Sequence, residues 1–251
     1  ASNIEGAAGV VCFPTTTAEV QAIVRICAAH GRPFVARGSG TGLAGGATPV
    51  DGSVVIALTK MNRILEVDPV ERIAWVEPGV INADLQAALA PHALFWPPDP
   101  ASAETCTIGG NLACNAGGPR AVKYGASRDN ILGLVAVTGS GEIIRCGGPW
   151  TKDATGYDLT HLLVGSEGTL ALIVEATLKL APLPPRRASL RALYADVGSA
   201  AAAVARIMAQ PVAPSMLEFM DAACIRLARD VGGAELPDAG ALLMIEADGD
   251  A

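Results

Sequence analysis

Residues 36–47 read ARGSGTGLAGGA, and within them Gly40-Thr41-Gly42-Leu43-Ala44-Gly45 is a literal G-x-G-x-x-G. That string opens Rossmann units, where a helix starts directly after the glycines and its N-terminal amides hold a pyrophosphate. Here the loop runs on into Gly46-Ala47-Thr48-Pro49-Val50-Asp51-Gly52, which cannot start such a helix. The acidic residue expected about 20 positions further on falls near Met61 and Glu66, with no βαβ unit to place it. The Rossmann reading fails on context. Glycines at 38, 40, 42, 45 and 46 still leave backbone N–H groups exposed, and such a loop can wrap an anion without any helix. A glycine cluster alone is equally a flexible surface loop, so the rest of the chain has to decide.

The chain has 251 residues, room for one large domain or two modest ones. Hydrophobic residues make up 51% and charged residues 17%, which suits a packed core and argues against disorder. A net charge of −7 with scattered Lys and Arg leaves no basic footprint for nucleic acid. No apolar run approaches the roughly 20 residues of a membrane span, and no targeting segment opens the chain. The six cysteines (Cys12, Cys27, Cys106, Cys114, Cys146, Cys224) form no C-x-x-C pair and read as reduced thiols of a cytoplasmic protein. His30, His92 and His161 lack ligand spacing, so no metal site is expected. With no initiator Met, and a strand-like ALLMIEA close to the last residue, both ends read as cut points.

Thr16-Thr17-Ala18-Glu19 is a capping box opening a helix with Val20, Ile23, Val24, Cys27 and Ala28 on one face, stopped at Gly31. Strands are expected at 33–36, 53–58, 64–67 and 72–77, and Asn82 is expected to cap a helix running through Leu89. The stretch 95–118, dense in Pro, Gly, Ser and Asn, reads as a long functional loop region. A hairpin follows over 131–138 and 142–146, then a long β-branched strand over 170–180. Pro182-Leu183-Pro184-Pro185 is the domain boundary. Beyond it come a strand at 190–194, an Ala-rich helix at 199–209, a strand at 216–219, a helix at 222–231 and a terminal strand, an α+β unit stopped partway.

Two more glycine-bearing clusters join the first. Pro97-Pro98-Asp99-Pro100 leads to Thr107-Ile108-Gly109-Gly110-Asn111 and Asn115-Ala116-Gly117-Gly118, where small residues let the backbone pass close to a flat ligand and Thr and Asn offer hydrogen bonds. Gly165-Ser166-Glu167-Gly168-Thr169-Leu170 precedes the long strand. The ordered set RGSGTGLAGGA, PPDPAS, TIGGNLACNAGG, KYGASRDNILGL, ATGYDLTHLLVGSEGTL and VEATLKLAP resembles the FAD-binding domain of the vanillyl-alcohol oxidase and p-cresol methylhydroxylase superfamily, and within it the group of glycolate oxidase flavin subunits and D-lactate and D-2-hydroxyglutarate dehydrogenases. The resemblance covers Val10 to Leu180 strongly and continues through PSMLEFMD (214–221).

That resemblance implies an α+β fold: a two-subdomain PCMH-type FAD-binding domain over 1–185 (subdomains about 10–75 and 76–185) and the start of an α+β, ferredoxin-like cap domain over 186–251. It implies that the backbone of Arg37, Gly38, Ser39, Gly40, Thr41, Gly42 and Leu43 binds the FAD pyrophosphate. It puts Pro98, Asp99, Thr107, Ile108, Gly109, Gly110, Asn115 and Gly118 along the flavin and diphosphate, and Glu167, Gly168 and Ile173 near the flavin or adenine end. The first loop has no His for covalent attachment, so noncovalent FAD is expected, with Cys106 and Cys114 as the thiols to watch. Ala171 stands where such proteins usually have Gly, and Val174 where many have Thr.

The activity implied is oxidation of a 2-hydroxy acid such as glycolate or D-lactate to the 2-oxo acid, with a hydride passing to the flavin. The hydroxyl proton and the carboxylate need groups that the resemblance places in later segments of such proteins, so no catalytic base is nominated. His161 sits on an apolar helix and reads as structural, His30 and His92 as helix C-caps; Lys123 and Arg128 either draw in anions or are simply solvated. Iron–sulfur and second flavin-domain subunits, and through them a peripheral place at the inner membrane, are implied partners. A noncatalytic FAD-binding or scaffolding subunit, and a flavin enzyme acting on a sugar alcohol or aldonolactone, stay open alongside.

Overall fold

A computed structural model describes residues 5–249 of the chain. Two compact units are present. One runs to Gly118 and resumes over Ala126–Leu183; the other comprises Pro119–Gly125 and the chain from Pro184 onward.

The first unit opens with β1 (Val10–Cys12), α1 (Thr17–Ala29), β2 (Phe34–Arg37) and β3 (Val54–Ala57), in which β1 and β2 both pair parallel to the central β3. Parallel neighbours need a long crossover, usually a helix. Between β1 and β2 that crossover is α1; between β2 and β3 it is the glycine loop itself. The absence of a helix there excludes a Rossmann βαβ unit, as the sequence requires. Thr16 caps α1 by accepting from the Glu19 amide at 3.2 Å, but the Glu19 carboxylate accepts from the Thr15 amide at 2.6 Å, one residue outside the reciprocal pairing expected of a capping box.

A five-stranded antiparallel sheet follows, in the order β4 (Ile64–Asp68), β5 (Ile73–Val76), β9 (Ala171–Lys179), β7 (Ile131–Thr138), β8 (Ile143–Gly147). Both its faces are covered, which is why β7 and β9 read as near-continuous apolar runs. On one face Leu134, Ala136 and Ile173 pack with Leu85 and Leu89 of α2 (Asn82–Leu89) and Ile108 and Leu112 of α3 (Ile108–Ala113). On the other, Val135, Val137, Leu172 and Val174 pack with Val20 and Val24 of α1 and with Ile56 and Met61. Val135 pairs with Glu175 and Ala136 with Ile173, so Val174 is a β-bulge, and its neighbours Leu172 and Ile173 point to opposite cores. A short ladder of β6 (Leu94–Phe95) with β10 (Ala181–Pro182) closes the unit.

The second unit is a three-stranded antiparallel sheet ordered β11 (Arg186–Tyr194), β13 (Ala241–Gly249), β12 (Met216–Asp221), with α6 (Val197–Met208) and α7 (Ala222–Asp230) capped by Asp196 and Asp221. It also takes in α4 (Ala121–Tyr124), a segment the sequence assigns to the FAD-binding domain. The reason is chemical: Lys123 forms an ion pair with Asp248, and the Tyr124 hydroxyl donates to the same carboxylate at 2.7 Å. Burial, then the Asp248 bond, push the Tyr124 hydroxyl up to about 12. Burial also works to raise Asp248, but Lys123 and Tyr124 prevail and hold it below the usual carboxylate range. The remaining helix, α5 (Leu159–Leu163), belongs to the first unit.

Candidate cofactor site

A cavity of about 520 Å³ lies in the first unit, walled by the loop after β2, by α3 and its flanks, by the turn at Ser166–Gly168 and by the first residues of β9. Its volume falls within the range of about 300–1,000 Å³ usual for cofactor and small-ligand sites. The glycine loop is held shut at its ends: the Arg37 guanidinium donates to the Ala47 carbonyl at 3.2 Å, bridging the first and last residues of the crossover's glycine stretch. Two glycines press that loop onto the other walls. A Cβ at Gly38 would lie 2.3 Å from Thr107 Oγ1, and one at Gly46 would lie 2.1 Å from a Glu167 carboxylate oxygen. A larger residue at Gly38 would have to displace the buried Thr107, and one at Gly46 would have to push the end of the Glu167 side chain aside.

The second wall is fixed by backbone bonds. Thr107 caps α3 by accepting from the Gly110 amide at 3.2 Å, and the Ile108 and Gly109 amides donate to Val80 and Pro78, both at 2.8 Å. At the other end of α3 the carbonyls of Leu112 and Ala113 accept from the Gly165 and Glu167 amides, both at 2.9 Å, which bolts the third loop to α3. Asn115 and Glu167, neither of them glycine, both have φ of +50°. Backbone held in the left-handed region by such residues collects at ligand sites, where the surroundings over-determine it.

Of the residues singled out in the sequence, Arg37 to Leu43, Thr107, Gly109, Gly110, Glu167, Gly168 and Ile173 line this cavity. Pro98, Asp99, Ile108, Asn115 and Gly118 stand behind its walls. The Pro98 carbonyl accepts from Asn82 Nδ2 at 3.1 Å, and Gly118 packs so tightly on Asp99 that a Cβ would lie 2.3 Å from its carbonyl oxygen. Ile108 is core, and Asn115 accepts from the Arg128 amide at 2.9 Å. Lining residues that sequence reasoning did not nominate include Pro78, Ser102 and Leu172; Asn111, Cys114 and Ala171, singled out in the sequence without a binding role assigned to them, line it too. A helical reading of Thr107–Ala113 would have exposed Asn111, since it falls beside Leu112 and three residues from Ile108.

Of the two thiols to watch, Cys106 is buried away from the cavity and Cys114 lines it next to Gly42. Partial burial, then the Glu167 charge, push the Cys114 thiol up, so it stays a protonated and weak nucleophile at neutral pH. His161 is bound on both sides, its Nδ1 paired with Asp158 and its Nε2 2.8 Å from the Arg128 carbonyl, and it does not line this cavity. Asp158 is held below its ordinary value by the His161 amide first and the ring second. Arg128 donates to the Val164 carbonyl at 2.7 Å, so both cations left open in the sequence have partners within the fold. Among the described residues no cluster of His, Cys, Asp and Glu could hold a metal ion.

These walls fit a flavin dinucleotide. The first wall is rich in glycine, whose amides can cradle an anion, α3 and β9 present small and aliphatic residues, and the buried Asn111 Nδ2 in the wall has no hydrogen-bond partner. The FAD binding domain family matches residues 8–147, more than half of the sequence. The chain belongs to that family. FAD is therefore its cofactor, and a second family, the C-terminal domain of FAD linked oxidases, matches residues 183–251. Glycolate oxidase subunit GlcD of Bacillus subtilis is 46% identical over 240 residues, covering 95% of this chain and 51% of that protein. Its Escherichia coli K12 namesake is 42% identical over 95% of this chain and 48% of its own length, and a D-lactate dehydrogenase of Archaeoglobus fulgidus is 42% identical over 89% and 50%. The chain thus spans about half the length of the curated relatives it matches. A solved alkyldihydroxyacetonephosphate synthase superposes with a TM-score of 0.80 at 24% identity, covering 96% of this chain and 47% of that one, a likeness of fold. No helix among the described residues is long and apolar enough to cross a membrane.

Proposed function

We propose that this protein is an FAD-dependent oxidoreductase of 2-hydroxy acids such as glycolate or D-lactate, and that the cavity between the three glycine-bearing loops holds its cofactor noncovalently. The observation that carries the placement is the contact of Gly38 with Thr107 and of Gly46 with Glu167, which brings the glycine loop against the other two walls of the cavity. When bound, FAD supplies a two-electron acceptor for the hydrogen on the hydroxyl-bearing carbon. The chain's own residues do the rest of the work seen here. Amides of the loop from Gly38 to Leu43 hold the diphosphate, and the Arg37 clasp keeps that loop in its binding shape before the ligand arrives. Ala113, Ala171 and Ile173, small or aliphatic residues of the wall, would exclude water from the bound ring system. In this reading Cys114, whose thiol is pushed up by desolvation and then by the Glu167 charge, stays free beside the flavin.

The charged side chains lining the cavity are Arg37 and Glu167, and the described histidines lie outside it. Removal of the hydroxyl proton and capture of the carboxylate therefore fall to groups outside this cavity's walls, and in our reading turnover belongs to the longer protein, working with further subunits as the names of the glycolate oxidase relatives say of them. Those subunits would include iron–sulfur and second flavin-domain partners, and would hold the protein at the inner membrane from the cytoplasmic side. The test pairs two assays. The 251-residue chain should take up FAD, while a protein of the relatives' length should reduce a dye with glycolate or D-lactate at least about a hundredfold faster than the chain does. Equal rates would overturn the division of labour; no turnover of any 2-hydroxy acid by the longer protein would favour a noncatalytic FAD-binding subunit.

A further inference from the structure

Among the described residues two buried side-chain polar atoms lack a hydrogen-bond partner, the Ser53 hydroxyl before β3 and Asn111 Nδ2, and of the two residues only Asn111 lines the cavity. The other buried asparagines show what this fold ordinarily does with such a group. Asn82 of α2 donates to the Pro98 carbonyl at 3.1 Å and Asn130 to the Ala126 carbonyl four residues back at 2.8 Å, so each of these amides is spent on a bond within the fold. Asn111 is as enclosed as they are, 3% exposed, yet fastens nothing. Its place on α3 sharpens the contrast. With Ile108 and Leu112 it forms the core-facing stripe of the helix, a position where an apolar residue would serve packing better than an amide with no partner.

We propose that Asn111 is a flavin-binding residue, whose side-chain amide hydrogen-bonds the polar edge of the isoalloxazine ring and so sets part of its affinity and its reduction potential. This rests on the placement of FAD in the cavity proposed above. Two features select the ring over the diphosphate. The amide is neutral and matches neutral carbonyl and ring-nitrogen acceptors, and α3 packs on β9, whose Ala171 and Ile173 with Ala113 give the aliphatic surface a ring system needs. A half-turn of the amide exchanges its oxygen and nitrogen without moving α3, so either can meet the ligand. An N–H donor at the ring favours the electron-rich reduced flavin over the oxidised form.

The test compares the wild-type chain, Asn111→Leu, Asn111→Ala and Gly46→Val, each freed of flavin and titrated with FAD, with the potential of bound flavin measured by dye equilibration. Asn111→Leu is expected to melt no lower than wild type without FAD, because an apolar side chain replaces an unpaired amide. It should bind FAD about tenfold more weakly and shift the bound flavin to a more negative potential. Unchanged affinity and potential would overturn the proposal. A Leu variant that melts lower without FAD and keeps the wild-type potential would mark Asn111 as structural and overturn it equally. Should Asn111→Leu not fold, Asn111→Ala carries the same two readouts. Gly46→Val separates this proposal from the one beneath it: if FAD still binds there, the cavity is not the flavin site, whereas loss of binding in Gly46→Val with wild-type behaviour at Asn111 condemns the Asn111 assignment alone.

Discussion

The first unit contains two cavities of nearly equal volume, about 520 Å³ behind the glycine loop and about 550 Å³ beside the segment from Trp150 to His161. Their walls differ in kind. The first is built from backbone and small side chains, with its loop clasped by Arg37 and its glycines pressed on Thr107 and Glu167. The second is lined by charged side chains, among them Asp129, Arg145, Asp153, Asp158 and Lys179, and its rim exposes Trp150 and Tyr157, the latter 95% open to solvent. Gly156 in that rim has φ of +80°, as a loop glycine should, yet a Cβ there would meet nothing within 4 Å. Volume therefore does not mark the cofactor site. Close approach alone does not mark it either, since a Cβ at Gly147 in the second wall would lie 2.1 Å from the Leu132 carbonyl oxygen. What sets the first cavity apart is a wall of glycines and small side chains where the second has charged ones.

A matched pair of substitutions puts this distinction under the greatest strain. Gly46→Val must displace the Glu167 carboxylate or the loop, and is expected to weaken FAD binding by more than about a hundredfold, whereas Gly156→Ala should leave it within about twofold. Fluorescence titration of both variants measures it; equal effects would erase the distinction. Next in size is the clasp. Arg37→Gln removes the charge-assisted tie to Ala47, and FAD should bind about tenfold more weakly through faster release, with little change in melting temperature. Stopped-flow release of flavin reads it.

A smaller effect tests the thiol in the wall. Because burial and Glu167 raise the Cys114 pKa, its reactive thiolate forms only above the ordinary thiol range, so alkylation should be slow at neutral pH and accelerate as pH rises past that range. Bound FAD should slow it further, as peptide mapping after timed labelling would reveal. Fast labelling at neutral pH would contradict the assignment. The smallest effect is expected at the second cavity, where His161→Gln should leave FAD affinity within about twofold and lower stability only modestly. A loss of binding there would move the functional centre to the other cavity.

Much of this is legible in the chain. The β-branched runs mark β7 and β9, the helix through Leu89 is present although Ile81 rather than Asn82 is its N-cap, and the failure of any helix to follow Gly46 excludes the Rossmann unit from the residues alone. α3 is not legible, because Gly109-Gly110 gives it the poorest helix propensity of any ordinary pair, and the Thr107 cap needs the tertiary bonds to Pro78, Val80 and the third loop beside it to hold the helix in place. Missing that helix hides Asn111 on its core stripe. Pro98, Asp99 and Gly118 carry the right chemistry for a cofactor loop, yet the Asn82 amide and the Asp99–Gly118 contact turn them into the scaffold behind it. The grouping of Pro119–Gly125 with the second unit depends on Lys123 and Tyr124 meeting Asp248, more than a hundred residues away, and nothing local announces it.

Bare backbone between three loops, on this proposal, holds FAD without a covalent bond. Its most direct test is the visible spectrum of the purified chain and of Gly46→Val after addition of FAD and gel filtration, followed by heat precipitation and identification of the released flavin. We expect a yellow wild-type protein carrying about one FAD per chain, all of it free in the supernatant after heating, and a colourless variant. A wild-type chain that takes up no FAD, flavin that stays with the precipitate, or a variant as yellow as wild type would contradict it.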